Sequence, residues 1–392
     1  MISQRVRTIE PSATLEFSAR LQKMRAQGRT IFNFSVGEPD FPTPEFIRAR
    51  ALEAIEEGWT RYTPVAGHPE ARAAIARHVS KTRGHDVSPE EVVISSGAKQ
   101  SLSQALLSLA DPGDEVLLPA PYWVSFPDLI RLSDAIPVVV PSSHDQGYRV
   151  TPETLEEFVT PRTAGIIINS PSNPTGSVYD RPQMEALVSF AREHDLWIIS
   201  DEIYEHFVFE GEMVSPFEGS GRERTVMISG LSKTFSMTGW RIGWAVCDRS
   251  IAGAMSRLQS HNSSNACTLS QACISTALEG VDHPELKTMQ EEFRRRRKLA
   301  LELLGSIDDI GLYRPEGAFY IFFDISRRVG RNGLPGSVDE VCLDLLEKHG
   351  VAVIPGSAFG DSGGVRLSYA RPATELEEGI ALLASYLGGG NR

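Results

Sequence analysis

From about residue 90 to residue 230, hydrophobic positions fall into short β-branched runs separated by segments of helical period. "EEVVIS", the end of "DPGDEVLLP", "RTAGIIINS", "LWIISDEIY" and "TVMISG" read as strands. Between them, the stretch from about Lys99 through "SLSQALLSLA" and the stretch "RPQMEALVSFAREHD" read as helices. Repeated strand–helix–strand order with continuous apolar runs predicts an α/β fold, its sheet mostly parallel and covered on both faces. Ligands of such sheets bind beyond the carboxyl ends of the strands. Gly97, Asn173, Asp201 and Lys233 all fall at those ends.

After about residue 280 the texture changes. "PELKTMQEEFRRRRKLALELLGSI" predicts one long amphipathic helix, and its basic run Arg294–Arg297 reads as a solvated face. "GAFYIFFDI", "GVAVIPG" and "GVRLSYA" follow as strand-like runs between helices. The chain of 392 residues is long for one ordinary core. A large domain over 48–280 is expected, with a smaller α+β domain formed by 1–47 and 281–392.

Composition narrows the classes of function. Hydrophobic residues at 41% and charged residues at 23% are ordinary for a globular chain. A formal net charge of −12 argues against nucleic acid or an anionic membrane as the main partner. The four cysteines, Cys247, Cys267, Cys273 and Cys342, have no CxxC pair and no metal-ligand spacing. They read as buried reduced thiols, and no metal is expected. No run of about 18 apolar residues occurs, and the first residues lack the apolar core of a secretory signal. A cytoplasmic location is expected.

The chemistry concentrates in "ISGLSKTFSMTGWRIGW", residues 228–244. Lys233 sits there between two hydroxyls, with Arg241 eight residues on and no carboxylate in the stretch. A buried, unpaired ammonium loses its proton, finds a partner or does chemistry. Arg241 offers a planar fork suited to an anion such as phosphate, and Ser232 adds a hydroxyl. "SSGAK", at a strand end opening a helix, offers free N–H groups, a weak signal taken alone. Neither GxxxxGK nor GxGxxG is present, so a P-loop or nicotinamide site has no footing. Asp201 follows an apolar strand, where a buried carboxylate needs a cationic partner. Tyr204 and Asn173 add neutral hydrogen-bonding groups. A ring with a protonated nitrogen, a phenolic oxygen and a phosphate would satisfy all of these residues. Pyridoxal phosphate is such a ring, and its aldehyde would take up Lys233 as a Schiff base.

At this point the chain resembles a class I aminotransferase, of fold type I among the pyridoxal-phosphate enzymes. It is most similar to the bacterial aspartate or aspartate/prephenate aminotransferases. The likeness runs nearly end to end through "PSAT", "VGEPDFPTP", "RYTPVAGHPE", "GAKQ", "PAPYWVSFP", "NSPSNPTG", "SDEIYEH", "SKTFSMTGWRIG", "PEGAFY" and "VRLSYA". Ten motifs in the right order are specific where any one would be modest.

The resemblance implies roles. Lys233 would anchor the cofactor and shuttle the proton. Asp201 would pair with the ring nitrogen, and Tyr204 and Asn173 would bond the ring hydroxyl. Ser232, Arg241 and the backbone at Gly97 and Ala98 would hold the phosphate, and Trp123 would stack on the ring. Tyr62 would reach the phosphate of a neighbouring subunit, making a homodimer part of the site. Arg366 would clamp the substrate α-carboxylate, with Gly37 touching the same group. Lys99, Thr14 and Ser12 would read an acidic substrate side chain.

By residue type alone, Trp123 could also be core packing, Tyr62 a turn residue, Ser232 a turn cap and Gly37 a backbone requirement. Lys99 could serve the phosphate or solvent. Phe126 stands where the animal-type enzymes carry a histidine, and their second substrate arginine is not identifiable. The expected reaction is two half-reactions between an amino acid, aspartate or glutamate first, and a 2-oxo acid. Aromatic or prephenate specificity, or a lyase on the same scaffold, are the alternatives.

Overall fold

The computed structural model describes residues 2–9, 13–331 and 333–388, with the side chains of residues 4, 5 and 13–19 outside that description. Its strands in chain order begin with β1 (Phe32–Asn33), β2 (Val92–Ser95), β3 (Glu115–Ala120), β4 (Ile136–Pro141) and β5 (Thr163–Asn169). Next come β6 (Trp197–Asp201), β7 (Thr225–Gly230), β8 (Gly243–Val246) and β9 (Gly311–Leu312). The last are β10 (Tyr320–Asp324), β11 (Val351–Ala352), β12 (Ile354–Pro355) and β13 (Gly364–Ser368).

Seven strands form one sheet in the order β2-β8-β7-β6-β5-β3-β4. From β4 through β7 every pairing is parallel, and β8 lies antiparallel between β7 and β2. Both faces are covered, which is why the strands read as unbroken apolar runs. On β5, Ile167 packs with Leu102, Ala105 and Leu106 of the helix Ala98–Leu109. Ile166 and Ile168 face the other way, toward Met184, Leu187 and Phe190 of the helix Arg181–Glu193. Each such buried side chain is worth roughly 1.5–3 kcal/mol. Asp180 starts the second helix, its carboxylate accepting the Gln183 N–H at 2.9 Å.

The one antiparallel strand matters for the site. Because β8 runs backwards, the residues preceding it lie at the same sheet edge as the carboxyl ends of the parallel strands. Arg241 is thereby brought beside Gly97 and Ser232. Gly243 pairs with both Ser95 and Gly230, fixing that convergence.

A four-stranded antiparallel sheet, β12-β13-β10-β9, follows later in the chain. β1 pairs in parallel with β11, so residues 32–33 join the C-terminal elements rather than the large sheet. No described helix is long and apolar enough to cross a membrane.

Three local expectations are corrected. The run "LWIISDEIY" stops being a strand at Asp201, because the Asp201 carboxylate accepts the Ile203 N–H at 3.2 Å and turns the chain. The basic run on the helix Pro284–Leu304 is only half solvated. Arg296 and Arg297 are buried, Arg296 on Asp40 and Glu292, Arg297 on Glu210 and the Pro315 carbonyl. Of the four free thiols, Cys267 is exposed and the other three are buried.

Candidate active site

A cavity of about 520 Å³ opens where the carboxyl edge of the large sheet meets β10 and β13. Lys233, Ser232, Arg241, Asp201, Tyr204, Asn173, Ala98, Lys99, Trp123, Gly37 and Arg366 all line it. Gly97 stands directly behind, at φ 88° as the N-cap of the helix Ala98–Leu109. A Cβ there would overlap the Arg241 guanidinium, so glycine is required by both angle and space.

Lys233 follows the end of β7, and its Nζ donates to the Gly37 carbonyl at 2.7 Å. Burial pulls its pKa down to about 8, with Glu38 opposing that shift and Arg241 adding to it. No carboxylate bonds it in the described structure. Its fate is that of a nucleophile: held, desolvated and partly deprotonated near neutral pH.

Asp201 is buried, and within the chain its carboxylate bonds the Ile203 N–H alone among the described residues. Burial pushes its carboxyl up to about 7, only partly opposed by that N–H and by Lys233. The site therefore offers an acid group waiting for a cation.

An anion subsite lies along the other wall. Arg241, at φ 51°, turns its guanidinium back so that Nη1 donates to the Thr238 carbonyl at 2.8 Å. The Ser232 side chain is buried beside it. The first N–H groups of the helix Ala98–Leu109 have no intrahelical acceptor, which makes a helix start an anion cradle.

Trp123 forms part of the cavity wall, its edge against Phe126 with ring centroids 5.3 Å apart. The Lys99 ammonium rests 4.8 Å from the centre of the Trp123 ring. Burial, and then Arg241, pull the Lys99 pKa down.

Arg366, on β13, enters from the opposite side. Its guanidinium donates to Asn173 Oδ1 at 3.0 Å and to the Ser35 carbonyl. It is sandwiched between Tyr320 and Phe359, 4.9 Å from each ring centre. Its buried Nε has no partner among the described residues, the state expected of a fork built for a carboxylate. Asn173 is set by its own N–H on Asn169 Oδ1 at 2.8 Å, and Asn169 in turn holds the Asp201 carbonyl at 3.0 Å.

One predicted residue stands apart from this cavity. Tyr62 is 89% exposed and lies in a separate groove with Arg61 and Ser264. Ser12 is outside the described residues, and so is the Thr14 side chain. In the other direction, sequence reasoning missed Ser35, Thr238, Phe359 and Tyr320 at the site. Tyr320 had a usable signal. β10 pairs with β13 so that Phe322 opposes Arg366, which places Tyr320 two residues away on the same face as the arginine.

Residues 29–383 match the family model described as aminotransferase class I and II. The chain belongs to that family. It is 42% identical over 386 residues to a probable aspartate/prephenate aminotransferase of Aquifex aeolicus, covering 97% of this chain and 96% of the relative. An aspartate/prephenate aminotransferase of Thermus thermophilus is 39% identical, with 99% of each chain covered. Among solved structures, the aspartate aminotransferase of Rhizobium meliloti superposes with a TM-score of 0.94 at 37% identity, covering 99% of both chains. The Thermus thermophilus enzyme with maleate gives 0.93 at 38% identity, over 98% of this chain and 99% of that one. This aminotransferase thus shares with its relatives both the sheet and the smaller elements that close the cavity.

Proposed function

We propose that this aminotransferase uses pyridoxal phosphate to exchange an amino group between an acidic amino acid, aspartate or glutamate, and a 2-oxo acid in two alternating half-reactions. The observation that carries the reading is the unpaired pair in one cavity: a desolvated Lys233 and a buried Asp201 without a salt bridge. The donor set fits the cofactor part by part. Arg241, Ser232 and the N–H groups at Gly97 and Ala98 suit its phosphate. Asp201 suits a protonated ring nitrogen, which would draw it back to the carboxylate form. Tyr204 and Asn173 suit the ring hydroxyl, and Trp123 a ring face. When bound, the cofactor supplies an electron sink for a carbanion at the substrate α-carbon.

The chain's own residues do the rest. Lys233 would anchor the cofactor through its Nζ, and the same Nζ would hold and move the substrate proton. Arg366, helped by Gly37, orients the α-carboxylate through the open side of its guanidinium. Lys99, with Thr14 and Ser12, receives the second carboxylate of an acidic substrate. A Thermus thermophilus aspartate aminotransferase solved with maleate, a dicarboxylate, supports an acidic substrate class. Tyr62, exposed and remote from its own cavity, is read as serving the site of a second copy in a homodimer. The domain division 48–280 against 1–47 with 281–392 is part of the same reading, supported by the pairing of β1 with β11.

Reduction of the purified holoenzyme with borohydride, followed by peptide mapping, should place the cofactor on Lys233. Incubation with aspartate should convert the cofactor to its amine form, and a 2-oxo acid alone should restore it. An adduct on another lysine, or no restoration by any 2-oxo acid in a panel that includes prephenate, overturns the reading.

A further inference from the structure

Tyr320 is the one buried phenol in the cavity that the assignments above leave without a task. It begins β10, is 1% exposed, and touches three parts of the site at once. Its hydroxyl lies 2.7 Å from the Tyr204 hydroxyl. Its ring forms one side of the sandwich around Arg366. Its oxygen also presses on Gly37, where a Cβ would overlap it. Edge-on packing fixes the two phenols relative to each other, with ring centroids 5.7 Å apart and an interplanar angle of 85°.

The geometry points to Tyr320 as a positioning residue that donates its hydroxyl proton to Tyr204 and so commits the Tyr204 proton to the cofactor's ring oxygen. Two hydroxyls 2.7 Å apart share one proton between them, and either can be the donor. Among the described residues Tyr204 is the only hydrogen-bond partner of the Tyr320 hydroxyl. Once an anionic ring oxygen accepts from Tyr204, the Tyr204 oxygen can only accept from Tyr320. Hydrogen bonds in such a chain polarise one another, so the second donor strengthens the first. Burial raises the pKa of both phenols, keeping them neutral and able to donate. Neither the apolar alternation of "GAFYIFFDI" nor the arginine clamp accounts for a hydroxyl at this place; phenylalanine would fill both needs.

The proposal rests on the cofactor reading above and is tested with the holoenzyme. Donors to the ring oxygen favour the form in which that oxygen carries the negative charge. They therefore lower the pH at which the bound cofactor's visible absorbance changes. Tyr320→Phe should raise that midpoint by roughly 0.5–1 pH unit, the worth of one neutral hydrogen bond on the pKa scale. It should leave the KM for the amino donor near its original value, because the ring over Arg366 remains. Tyr204→Phe should raise the midpoint further, and adding Tyr320→Phe to it should change nothing more.

An unmoved midpoint in Tyr320→Phe overturns the proposal, as does a full additional shift in the double variant. A raised KM with an unmoved midpoint would make Tyr320 a support for Arg366 only. A wild-type protein with no pH-dependent visible band would remove the cofactor reading itself, and this proposal with it.

Discussion

Asp201 ends β6 and Glu205 stands four residues on, both with buried side chains, yet their carboxyls are displaced in opposite directions. Burial pushes Asp201 up to about 7. Burial also acts upward on Glu205, but Arg83, His206 and His78 overcome it and hold the group at about 2. Partners make the difference. Glu205 accepts from Arg83 at 2.5 Å and from Ser229 at 2.6 Å. Glu202, beside Asp201 in the chain, shares Arg83 at 2.8 Å and takes Ser200 at 2.9 Å and Ser215, though burial still pushes its carboxyl up. Asp201 has one backbone N–H. His78 and His206 bring ring nitrogens within 4.8 Å of Glu205, but both of its oxygens are already held. Depth alone does not mark a functional carboxylate. A closed set of ions fastens the turn after β6 to the helix Pro69–Arg83, and an open set a few residues away waits for a ligand.

Breaking the open set should remove chemistry and spare the fold. Lys233→Ala deletes the proposed proton carrier, worth about 10²–10⁴-fold by itself, and the proposed covalent anchor besides. Turnover should fall by more than about 10³-fold. Melting of the cofactor-free protein should hold or rise, since a desolvated amine is gone. A variant that keeps a tenth of wild-type turnover would remove Lys233 from its place in the comparison.

Breaking the closed set should do the reverse. Arg83→Ala leaves Glu202 and Glu205 buried together without their cation. Loss of one partner from such a pair costs about 3–5 kcal/mol. Denaturant unfolding should show that loss, while any folded holoenzyme keeps the wild-type midpoint of cofactor absorbance. A stability change within about 1 kcal/mol would mean that water has replaced the guanidinium, and that the set is not closed.

The two carboxyls should also give opposite pH slopes. Asp201 titrates higher folded than unfolded, so its contribution is complete below about pH 4 and is lost as pH rises through about 7. Glu205 titrates lower folded than unfolded. Its contribution is complete above its ordinary range and is lost as pH falls toward about 2. Cofactor-free protein should therefore lose stability between pH 4 and 7 with a slope of at most about 1.4 kcal/mol per pH unit from this group. Asp201→Asn should reduce that slope, leaving the part in the same direction that buried Glu202 contributes, and keep the acid limb in place. An unchanged slope in the variant would show that another group titrates there.

Much of the open set was legible because its residues lie at strand ends inside local motifs. Lys233, Asp201, Asn173 and Gly97 could be placed from periodicity alone. The closed set was not legible. Arg83 ends the helix Pro69–Arg83, and nothing local in the sequence says that it turns inward to meet Glu202 and Glu205. Arg296 and Arg297 hid for the same reason, since a run of four arginines has the pattern of a solvated turn and only tertiary packing buries half of it. Tyr320 was legible as a strand residue, but its hydroxyl pairing needs the approach of two sheets that the sequence does not order. Tyr62 poses a different problem, because the service to a second copy proposed for it would leave no contact within its own chain.

Lys99 gives the smallest effect and the finest test of what an open set means. Its ammonium has an aromatic face at 4.8 Å but no carboxylate in the described structure. Burial and the nearby Arg241 already pull its pKa down. An incoming carboxylate would favour the charged form again, so Lys99 should contribute only when the substrate brings a second negative group. Lys99→Ala should cost aspartate and glutamate roughly 1.5–3 kcal/mol in kcat/KM, the worth of a hydrogen bond to a charged group. Alanine and phenylalanine should lose little, because their side chains offer the ammonium nothing to bind. The ratio between acidic and neutral donors is therefore the quantity to measure. A uniform loss would assign Lys99 to the phosphate subsite proposed for Arg241 and Ser232. An unchanged ratio would mean that the acidic side chain is read by other residues, and that the unpaired ammonium over Trp123 is packing alone.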